Sequence, residues 1–342
     1  MNLSETHIAA LQVSTNGLVN WLLQKKSELL NNEPEYVIGM FGAQIARATA
    51  LYPQASHTIE LSIPLFKIPQ DKKHESVQRM AAGCKKLNKD ILDAVVFSSA
   101  ATFEVIPHWS DLDVLVIVRD EVFTAPQRLA FLRSELLKLE ECLYEFDQWQ
   151  HHGLQFITEA DLHFYPESFL PLTALKEAAS LIEARTLSLA VRESRTEQLN
   201  YFLNVVRTLV AAEAEEVLRH HSKDGVFLLN NYANRDNAFY QLKYFISVVL
   251  LLPSLFLGLV EKPIAKKESF IRIKEYFSPS ELEFLTACEN VRLLFMKVRP
   301  RENEIPREVE PILGKNYFEQ AAHFAVRLKA AYESHQPTSN SG

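Results

Sequence analysis

Cysteine and glycine are both scarce in this sequence, and their scarcity excludes several kinds of site. The three cysteines, Cys84, Cys142 and Cys288, are far apart and odd in number, so they predict neither a disulfide framework nor a CxxC zinc site. This pattern is typical of a protein in a reducing compartment. The nine glycines form no GxGxxG and no GxxxxGK motif, which excludes the usual dinucleotide-binding and P-loop sites. GxSxG and HExxH motifs are absent as well.

An excess of basic charge and a long apolar run are also missing. The formal net charge of -7 argues against a broad nucleic-acid surface, although it leaves room for a local basic channel. The longest apolar run, residues 245–260, has 16 residues and contains Pro253, so we expect a buried helix broken at that proline. The N-terminus has no basic stretch followed by an apolar core, so no signal peptide is expected. Together these features predict a cytoplasmic protein.

The 342 residues predict about two domains, with helix as the dominant structure. We expect an α+β fold divided into an N-terminal helical extension (1–70), a strand-containing domain (71–185), a helical bundle (190–335) and a disordered tail (336–342). The helical extension is expected to end in an irregular, proline-containing stretch. The elements predicted within the second part are a helix at 74–90, a strand at 94–97, a loop at 98–110, a strand at 111–118, a helix from Pro126 to about Tyr144 with Thr124 as its cap, and a strand at 153–158.

Two aspartates stand at the head of the predicted strand 111–118. Side chains alternate along a strand, so Asp111 and Asp113 should point to one face while Leu112 and Val114 point to the other. The two Cα atoms should lie about 6.5 to 7 Å apart, which lets both carboxylates reach shared divalent cations. An equally simple interpretation is a strand edge whose aspartates cap a turn and face water.

The residues before the aspartates add a resemblance to a known superfamily. Ser98-Ser99 follow the strand 94–97, Asp111 lies twelve positions after Ser99, and "SDLDVLVIV" contains it. This pattern resembles the DNA polymerase beta-like nucleotidyltransferases, in which Gly-Ser ends one strand and Asp-x-Asp begins the next. The loop "EVIPHWSDLD" is similar to the corresponding region of bacterial aminoglycoside adenylyltransferases. The specific resemblance covers residues 94–158, and the helical remainder matches that group only in general plan.

The resemblance implies a nucleotidyltransferase-type mixed sheet and a set of roles. Asp111 and Asp113 would hold Mg²⁺ against the triphosphate of ATP or another nucleoside triphosphate. Ser98, Ser99 and Ser110 would contact the nucleotide, with the Ser99 hydroxyl and neighbouring amides on the β and γ phosphates. Lys266 and Lys267 resemble a lysine-bearing segment of the family's helical domain and would contact the triphosphate, although a solvated helix start is the simpler explanation. A hydroxyl of an acceptor would attack the α-phosphorus and release pyrophosphate.

The sequence departs from the family pattern at two positions. Ser98 stands where the family has a glycine that lets the backbone approach phosphate closely. Gln155, in "LQF", stands where the family has a third carboxylate, and glutamine cannot act as a general base near neutral pH. We assign Gln155 to the catalytic set as a residue that orients a water or hydroxyl. Four acids would be alternatives if the strand register differed: Glu145, Asp147, Glu159 and Asp161.

Other polar or aromatic residues have a simpler structural interpretation beside a functional one. The histidines His108, His151, His152 and His163 lack zinc-site spacing and are read as rim residues. Trp109 either stacks on a base or wedges the loop against a domain. Candidates for a cleft wall or a base in the helical part are Arg235, Asp236, Tyr240, Lys243, Glu213, Glu215 and Glu216, for all of which helix capping or solvation is the simpler role.

Three hypotheses about function therefore remain open. The first is transfer of a nucleoside monophosphate, AMP from ATP, to a hydroxyl of a small molecule. The second is the same transfer to a protein or RNA, of which the acidic charge disfavours RNA. The third is a non-catalytic nucleotide-binding or regulatory protein, which Ser98 and Gln155 favour. No membrane partner is expected, and the sequence does not predict an oligomeric state.

Overall fold

The computed structural model describes residues 57–71, 74–150, 153–166, 170–192, 195–215, 217–222, 225–230, 238–298 and 305–335. Contacts divide the chain into two compact units. The first consists of Met1–Val105 and Ser110–Glu193, and the second of Ile106–Trp109 and Ser194–Gly342. The short segment Ile106–Trp109 thus groups with the second unit, although the residues on either side of it belong to the first.

The first unit combines strands and helices. Its described elements, in chain order, are β1 (His57–Ile63), α1 (Glu75–Lys86), β2 (Ile91–Phe97), α2 (Ser98–Ala101), β3 (Asp113–Val118), a 3₁₀ turn (Asp120–Thr124), α3 (Pro126–Phe146), β4 (Gln155–Thr158), α4 (Glu159–Leu162), β5 (Tyr165–Pro166), α5 (Leu172–Leu175), β6 (Ala179–Ser180) and β7 (Arg185–Arg192).

A mixed sheet with the order β4-β3-β2-β6 forms the centre of the first unit. β2 pairs with β3 and with β6 in antiparallel fashion, whereas β3 and β4 are parallel. The parallel pair requires a long crossover, which the helix α3 provides between the two strands. A second sheet has the order β1-β7-β5.

The two faces of the central sheet bury different cores. Val114, Val116 and Val118 of β3 belong to a core shared with the helices α1 and α3. Leu115 and Ile117, which alternate with them, belong to a core shared with β1 and β7 of the second sheet. The unit therefore has three layers, helices on one side of the central sheet and the second sheet on the other.

A buried polar network joins the central sheet to the second sheet. The Asp93 side chain is fully buried and accepts hydrogen bonds from the Ser180 hydroxyl at 2.6 Å and the Ala94 amide at 2.7 Å. Arg185 Nε lies 3.0 Å from the second carboxylate oxygen, but its N–H is not aligned for a hydrogen bond, so the attraction there is electrostatic. Burial raises the pKa of Asp93, and its polar neighbours oppose that shift.

The second unit is mainly helical. Its described elements are α6 (Arg195–Glu215), β8 (Val217–Ser222), β9 (Gly225–Asn230), α7 (Ala238–Val249), α8 (Leu252–Val260), α9 (Lys266–Arg272), a 3₁₀ turn (Ile273–Glu275), α10 (Glu283–Leu294), α11 (Val309–Leu313) and α12 (Tyr317–His335). Aromatic side chains pack within it, for example Phe245 against Tyr317 with ring centroids 4.9 Å apart.

The predicted α+β class is confirmed, and the elements between residues 74 and 158 lie close to their predicted positions. Two details were wrong. Strand β1 occupies part of the stretch before residue 70 that was expected to be irregular, and it pairs with β7 along its whole length. Thr124 does not cap α3, because its hydroxyl donates to the Glu121 carbonyl instead. Residues 1–56, expected to be largely helical, lie outside the described residues, as does the tail 336–342.

The C-terminal unit departs from the all-helical expectation. β8 and β9 form an antiparallel hairpin, with Val217 paired to Asn230. The apolar run is broken into α7 and α8, with Pro253 in the first turn of α8, as predicted. In the part of the chain that the structure describes, Tyr240–Val260 is the one stretch long and apolar enough to cross a membrane, with a mean hydropathy of 2.0. That is weak evidence for a span, because 56% of its apolar window is buried inside the protein.

Candidate functional site

Asp113 stands at the start of β3, and Asp111 lies two residues before it. Asp113 is the first residue of the strand, and both Asp111 and Asp113 are half-buried. Leu112 between them is buried together with Val114 in the core shared with α1 and α3, the helix-side core. Since side chains alternate, Asp113 projects toward the opposite side, the one to which Leu115 contributes, and the same alternation continued to Asp111 would place its carboxylate there as well.

Gln155 lies on the same side of the neighbouring strand. It begins β4 and is paired in register with Leu115, two residues along β3 from Asp113. Ile157, two residues after Gln155, belongs to the same core as Leu115. Strand geometry therefore puts the Cα atoms of Asp113 and Gln155 about 8 Å apart on a shared face. The amide thus occupies the position at which the superfamily pattern requires the third carboxylate.

The loop between β2 and β3 carries an unusual concentration of backbone strain. Among the described residues, the non-glycine residues with positive φ are Ser98 at 59°, Phe103 at 59° and His108 at 63°. All three lie between the end of β2 and Asp111. A non-glycine residue held in this region costs on the order of 1–3 kcal/mol, and such residues cluster at functional sites. The strain therefore marks this loop as a candidate site independently of the aspartates.

The serines expected to contact a nucleotide flank this loop. Phe97 of β2 is paired with Asp113, so Ser98 and Ser99 directly follow the strand position adjacent to that aspartate. Ser98 is exposed and Ser99 is half-buried, with the Ser99 carbonyl accepting a hydrogen bond from the Glu104 amide at 3.0 Å. Ser110, half-buried, lies next to Asp111.

A glutamine that the sequence did not single out holds the backbone between the two aspartates. The side chain of Gln150 accepts a hydrogen bond from the Leu112 amide at 3.0 Å and donates one to the Leu112 carbonyl at 3.2 Å. Gln150 is 4% exposed. It lies 38 residues from Leu112 in the sequence, so no local pattern could have predicted this contact.

The acids considered as substitutes for Gln155 have structural roles. Asp161 is buried and forms a capping box with Thr158 at the start of α4. Glu159 pairs with Arg119 at 3.2 Å and accepts a hydrogen bond from the Asp120 amide. These contacts lie at the end of β3 and β4 opposite to Asp113 and Gln155, so neither acid replaces Gln155.

The two acids near the end of α3 are also engaged. Glu145 is exposed and forms an ion pair with Arg79. Asp147 is buried and accepts a hydrogen bond from the Trp149 amide at 3.3 Å in the turn after the helix. The register of β4 and these contacts leave Gln155 as the residue in the third position.

The histidines do not assemble with other ligands in the described part of the chain. His108 has positive φ in the strained loop, and His163 is exposed. His151 and His152 lie outside the described residues. No group of three or more His, Cys, Asp or Glu side chains that could hold a metal occurs among the residues that the structure describes. Within the described ranges, Asp111 and Asp113 therefore belong to no cluster of three such side chains.

Trp109 is buried within the second unit. It is 6% exposed, and its ring packs against Phe295 with a centroid distance of 5.1 Å. A packed ring of this kind agrees with the wedge interpretation better than with stacking on a base.

The remaining candidates lie in the second unit. Lys266 and Lys267 are exposed in the first turn of α9, which agrees with a solvated helix start. Of the proposed cleft residues, Tyr240 is half-buried and Lys243 is buried, 1% exposed. Exposed positions on α6 are occupied by Glu213 and Glu215. Three further candidates fall outside the described residues: Glu216, Arg235 and Asp236.

Comparison with known proteins adds no assignment. No protein-family model matches the chain. No curated protein and no solved structure matches it either.

Proposed function

We propose that this protein is a Mg²⁺-dependent nucleotidyltransferase that moves AMP from ATP to a hydroxyl of a small molecule and releases pyrophosphate. The observation that carries the proposal is the placement of Asp113 at the start of β3, two residues after Asp111, with Gln155 at the start of β4 on the same face as Asp113. The strained loop that precedes them supports it. The finer fold assignment, a nucleotidyltransferase-type sheet, belongs to the same proposal and rests on the resemblance of residues 94–158. A cytoplasmic location stays a prediction from composition.

The two aspartates fit Mg²⁺ better than a tightly coordinated metal. Mg²⁺ is usually held by one or two carboxylates, several waters and substrate phosphates, and it does not need a complete protein cage. A half-buried pair of carboxylates with no third acid among the described residues provides this kind of donor set. Bound there, Mg²⁺ would neutralise charge on the phosphates of the nucleotide.

The chemistry assigns each remaining residue a limited role. The acceptor hydroxyl oxygen forms a bond to the α-phosphorus, the bond from that phosphorus to the bridging oxygen of pyrophosphate breaks, and the hydroxyl proton passes to water. Ser98, Ser99 and Ser110 contact the phosphates. Gln155 orients the hydroxyl by hydrogen bonding without accepting its proton. Catalysis then depends on positioning and charge neutralisation.

One observation favours a second candidate, a nucleotide-binding protein without transferase activity. Gln155 occupies the third position in the register of β4, and the four nearby acids are used elsewhere. A site with two carboxylates would retain the groups needed to bind Mg-ATP, and among the described residues compared with the family pattern it has glutamine in place of the third carboxylate. Transfer to a protein acceptor is the same chemistry with a different acceptor and is tested by the same assay.

Binding of ATP with and without Mg²⁺, measured by calorimetry, tests the shared site. We expect binding to the wild type to be strengthened by Mg²⁺ and this strengthening to be lost in Asp111→Asn. Asp71→Asn, which changes an aspartate in a different part of the first unit, is the matched control and should bind as the wild type does. Binding that is insensitive to Mg²⁺, or equally Mg²⁺-dependent in Asp111→Asn, would refute the proposal.

Transfer itself is tested with α-labelled ATP and a panel of small hydroxyl compounds and proteins. Label in an acceptor together with released pyrophosphate is the expected result. Mg-ATP binding without turnover for any acceptor would favour the binding-protein candidate. Gln155→Glu restores a carboxylate at the third position, so activity gained only in that variant would identify a degenerate transferase site.

A further inference from the structure

We propose that Gln150 is a positioning residue that holds the backbone between Asp111 and Asp113 in place for Mg-nucleotide binding; this inference rests on the proposed function. Gln150 does not itself belong to the pair. It acts through Leu112, the residue between the two aspartates, to which its side chain makes two hydrogen bonds.

Leu112 needs an external partner because it lies beyond the paired part of the sheet. The pairing of β3 with β2 ends at Asp113, and its pairing with β4 begins at Leu115. Leu112 is 1% exposed, so unpaired backbone groups there would be costly. A glutamine side chain carries one donor group and one acceptor, as a peptide does. Gln150 therefore takes the place of a neighbouring strand for this one residue.

The two hydrogen bonds fix the two peptide groups that connect the aspartates. The Leu112 amide nitrogen belongs to the planar peptide that joins it to Asp111, and the Leu112 carbonyl belongs to the planar peptide that joins it to Asp113. When both planes are held, the Cα atoms of both aspartates are held relative to each other, so the two side chains start from fixed points. Residues that orient metal ligands in this indirect way typically affect metal affinity by about 10- to 100-fold.

Gln150 is itself held firmly enough to serve this purpose. The backbone amide of Gln150 donates to the Asp147 carbonyl at 3.0 Å. The backbone amide of Asp147 in turn donates to the Leu143 carbonyl at 2.9 Å, at the end of α3. The turn after α3 thus presents the Gln150 side chain from a fixed backbone. The position of α3, packed on the helix-side core through Leu143, is thereby transmitted to Leu112.

The test compares Gln150→Met, which keeps size but removes the amide, with Gln148→Met as the matched control. Gln148 is an exposed glutamine two residues away in the same turn. For each variant we would measure ATP affinity with and without Mg²⁺. We expect Gln150→Met to reduce the strengthening by Mg²⁺ about 10- to 100-fold. ATP binding without Mg²⁺, and every property of Gln148→Met, should remain as in the wild type.

Two further measurements separate positioning from a general loss of structure. Hydrogen exchange of the Leu112 amide should be faster in Gln150→Met, whereas amides in the centre of β3 should be unchanged. In the Asp111→Asn background, Gln150→Met should have no further effect on ATP affinity, because the pair through which it acts is already broken. Should Gln150→Met fail to fold, Gln150→Asn, whose amide is one methylene too short, takes its place.

The outcomes distinguish this inference from the proposed function. If the wild type shows no Mg²⁺-dependent ATP binding, the proposed function fails, and the inference fails with it. If the wild type shows that binding but Gln150→Met or Gln150→Asn retains it fully while the Leu112 amide exchanges faster, only the positioning role of Gln150 is overturned. Additive losses in the double variant would likewise overturn it.

Discussion

Replacing Ser98 by glycine is expected to stabilise the protein. Ser98 has a φ of 59° and an exposed side chain. A residue with a Cβ costs about 1–2 kcal/mol in the left-handed region, whereas the extra freedom of glycine in the unfolded chain costs about 0.4–1 kcal/mol. The difference predicts that Ser98→Gly raises the free energy of unfolding by about 0.5–1 kcal/mol.

Two variants isolate the backbone as the cause. Ser98→Ala removes the hydroxyl but keeps the Cβ, so it should produce no gain. Ser99→Gly makes the same change at the next residue, which has no positive φ, and there glycine should destabilise by up to about 0.5 kcal/mol. Urea unfolding is the assay, with the midpoint compared at constant slope. Equal midpoints for Ser98→Gly and Ser98→Ala, or a loss in Ser98→Gly, would refute the reasoning.

The same substitution bears on the proposed site. Ser98→Gly introduces the glycine of the nucleotidyltransferase pattern that residues 94–158 resemble, and it removes a Cβ from the turn after β2. If phosphate binds there, closer approach of the backbone should tighten Mg-ATP binding. A variant that is more stable but binds ATP no better would show that the strain at Ser98 serves the loop conformation and not the ligand.

Three further predictions concern the first unit. Arg185→Met leaves the buried Asp93 carboxylate without its cation and should cost about 3–5 kcal/mol in urea unfolding, most of which Asp93→Asn should restore; an unchanged midpoint would contradict this. Gly83→Val should cost about 1–3 kcal/mol, because a Cβ there would lie 2.2 Å from Leu139 Cδ2, and Leu139→Ala should relieve that cost, whereas no relief would place the clash elsewhere. Burial raises the pKa of Asp120, so the folded state binds its proton more tightly and this carboxyl lowers stability as pH rises through that window. The stability of Asp120→Asn relative to the wild type should therefore increase as the pH rises above the ordinary aspartate range, and a constant or falling difference would contradict the sign.

The part of the fold that could be predicted from sequence is the part with local signals. Pro126 starts a helix of 21 residues, and the continuous apolar run after Asp113 identifies β3. The parallel pairing of β3 with β4 follows from the helix between them. These signals act over a few residues, so they do not depend on the rest of the chain.

Strands β1 and β7 were not predicted from the sequence. Both alternate apolar and polar residues, Ile59, Leu61 and Ile63 in one and Leu187 and Leu189 in the other. The prolines that follow β1 favoured an irregular interpretation, and the partner strand is more than 100 residues away. In the second unit, the Asp-Gly before β9 is a hairpin signal that a helical interpretation of the whole region overlooked.

In the candidate site, too, features with a local sequence signal could be predicted and features that depend on tertiary contacts could not. The shared face of Asp111 and Asp113 follows from alternation along one strand, and the position of Gln155 follows from a pattern over three residues. The role of Gln150 depends on a tertiary contact between the turn after α3 and the start of β3, and a glutamine in a polar turn has no sequence feature that distinguishes it. The positive φ of Ser98 could be predicted only in part. The resembled pattern has glycine at this position, but only the structure gives the angle.

The combination of two carboxylates and two amides separates binding from transfer in the proposed site. Asp111 and Asp113 supply the negative charge that Mg²⁺ requires, and Gln150 holds them without adding charge. Gln155 places a neutral group where a third carboxylate would add a negative charge and provide a base. Affinity for Mg-ATP should therefore depend on the pair and its support, whereas the rate of transfer should depend on a base outside this face of the sheet. Variants of Asp111 and Gln150 would then change binding, and variants that change turnover alone would reveal where that base lies.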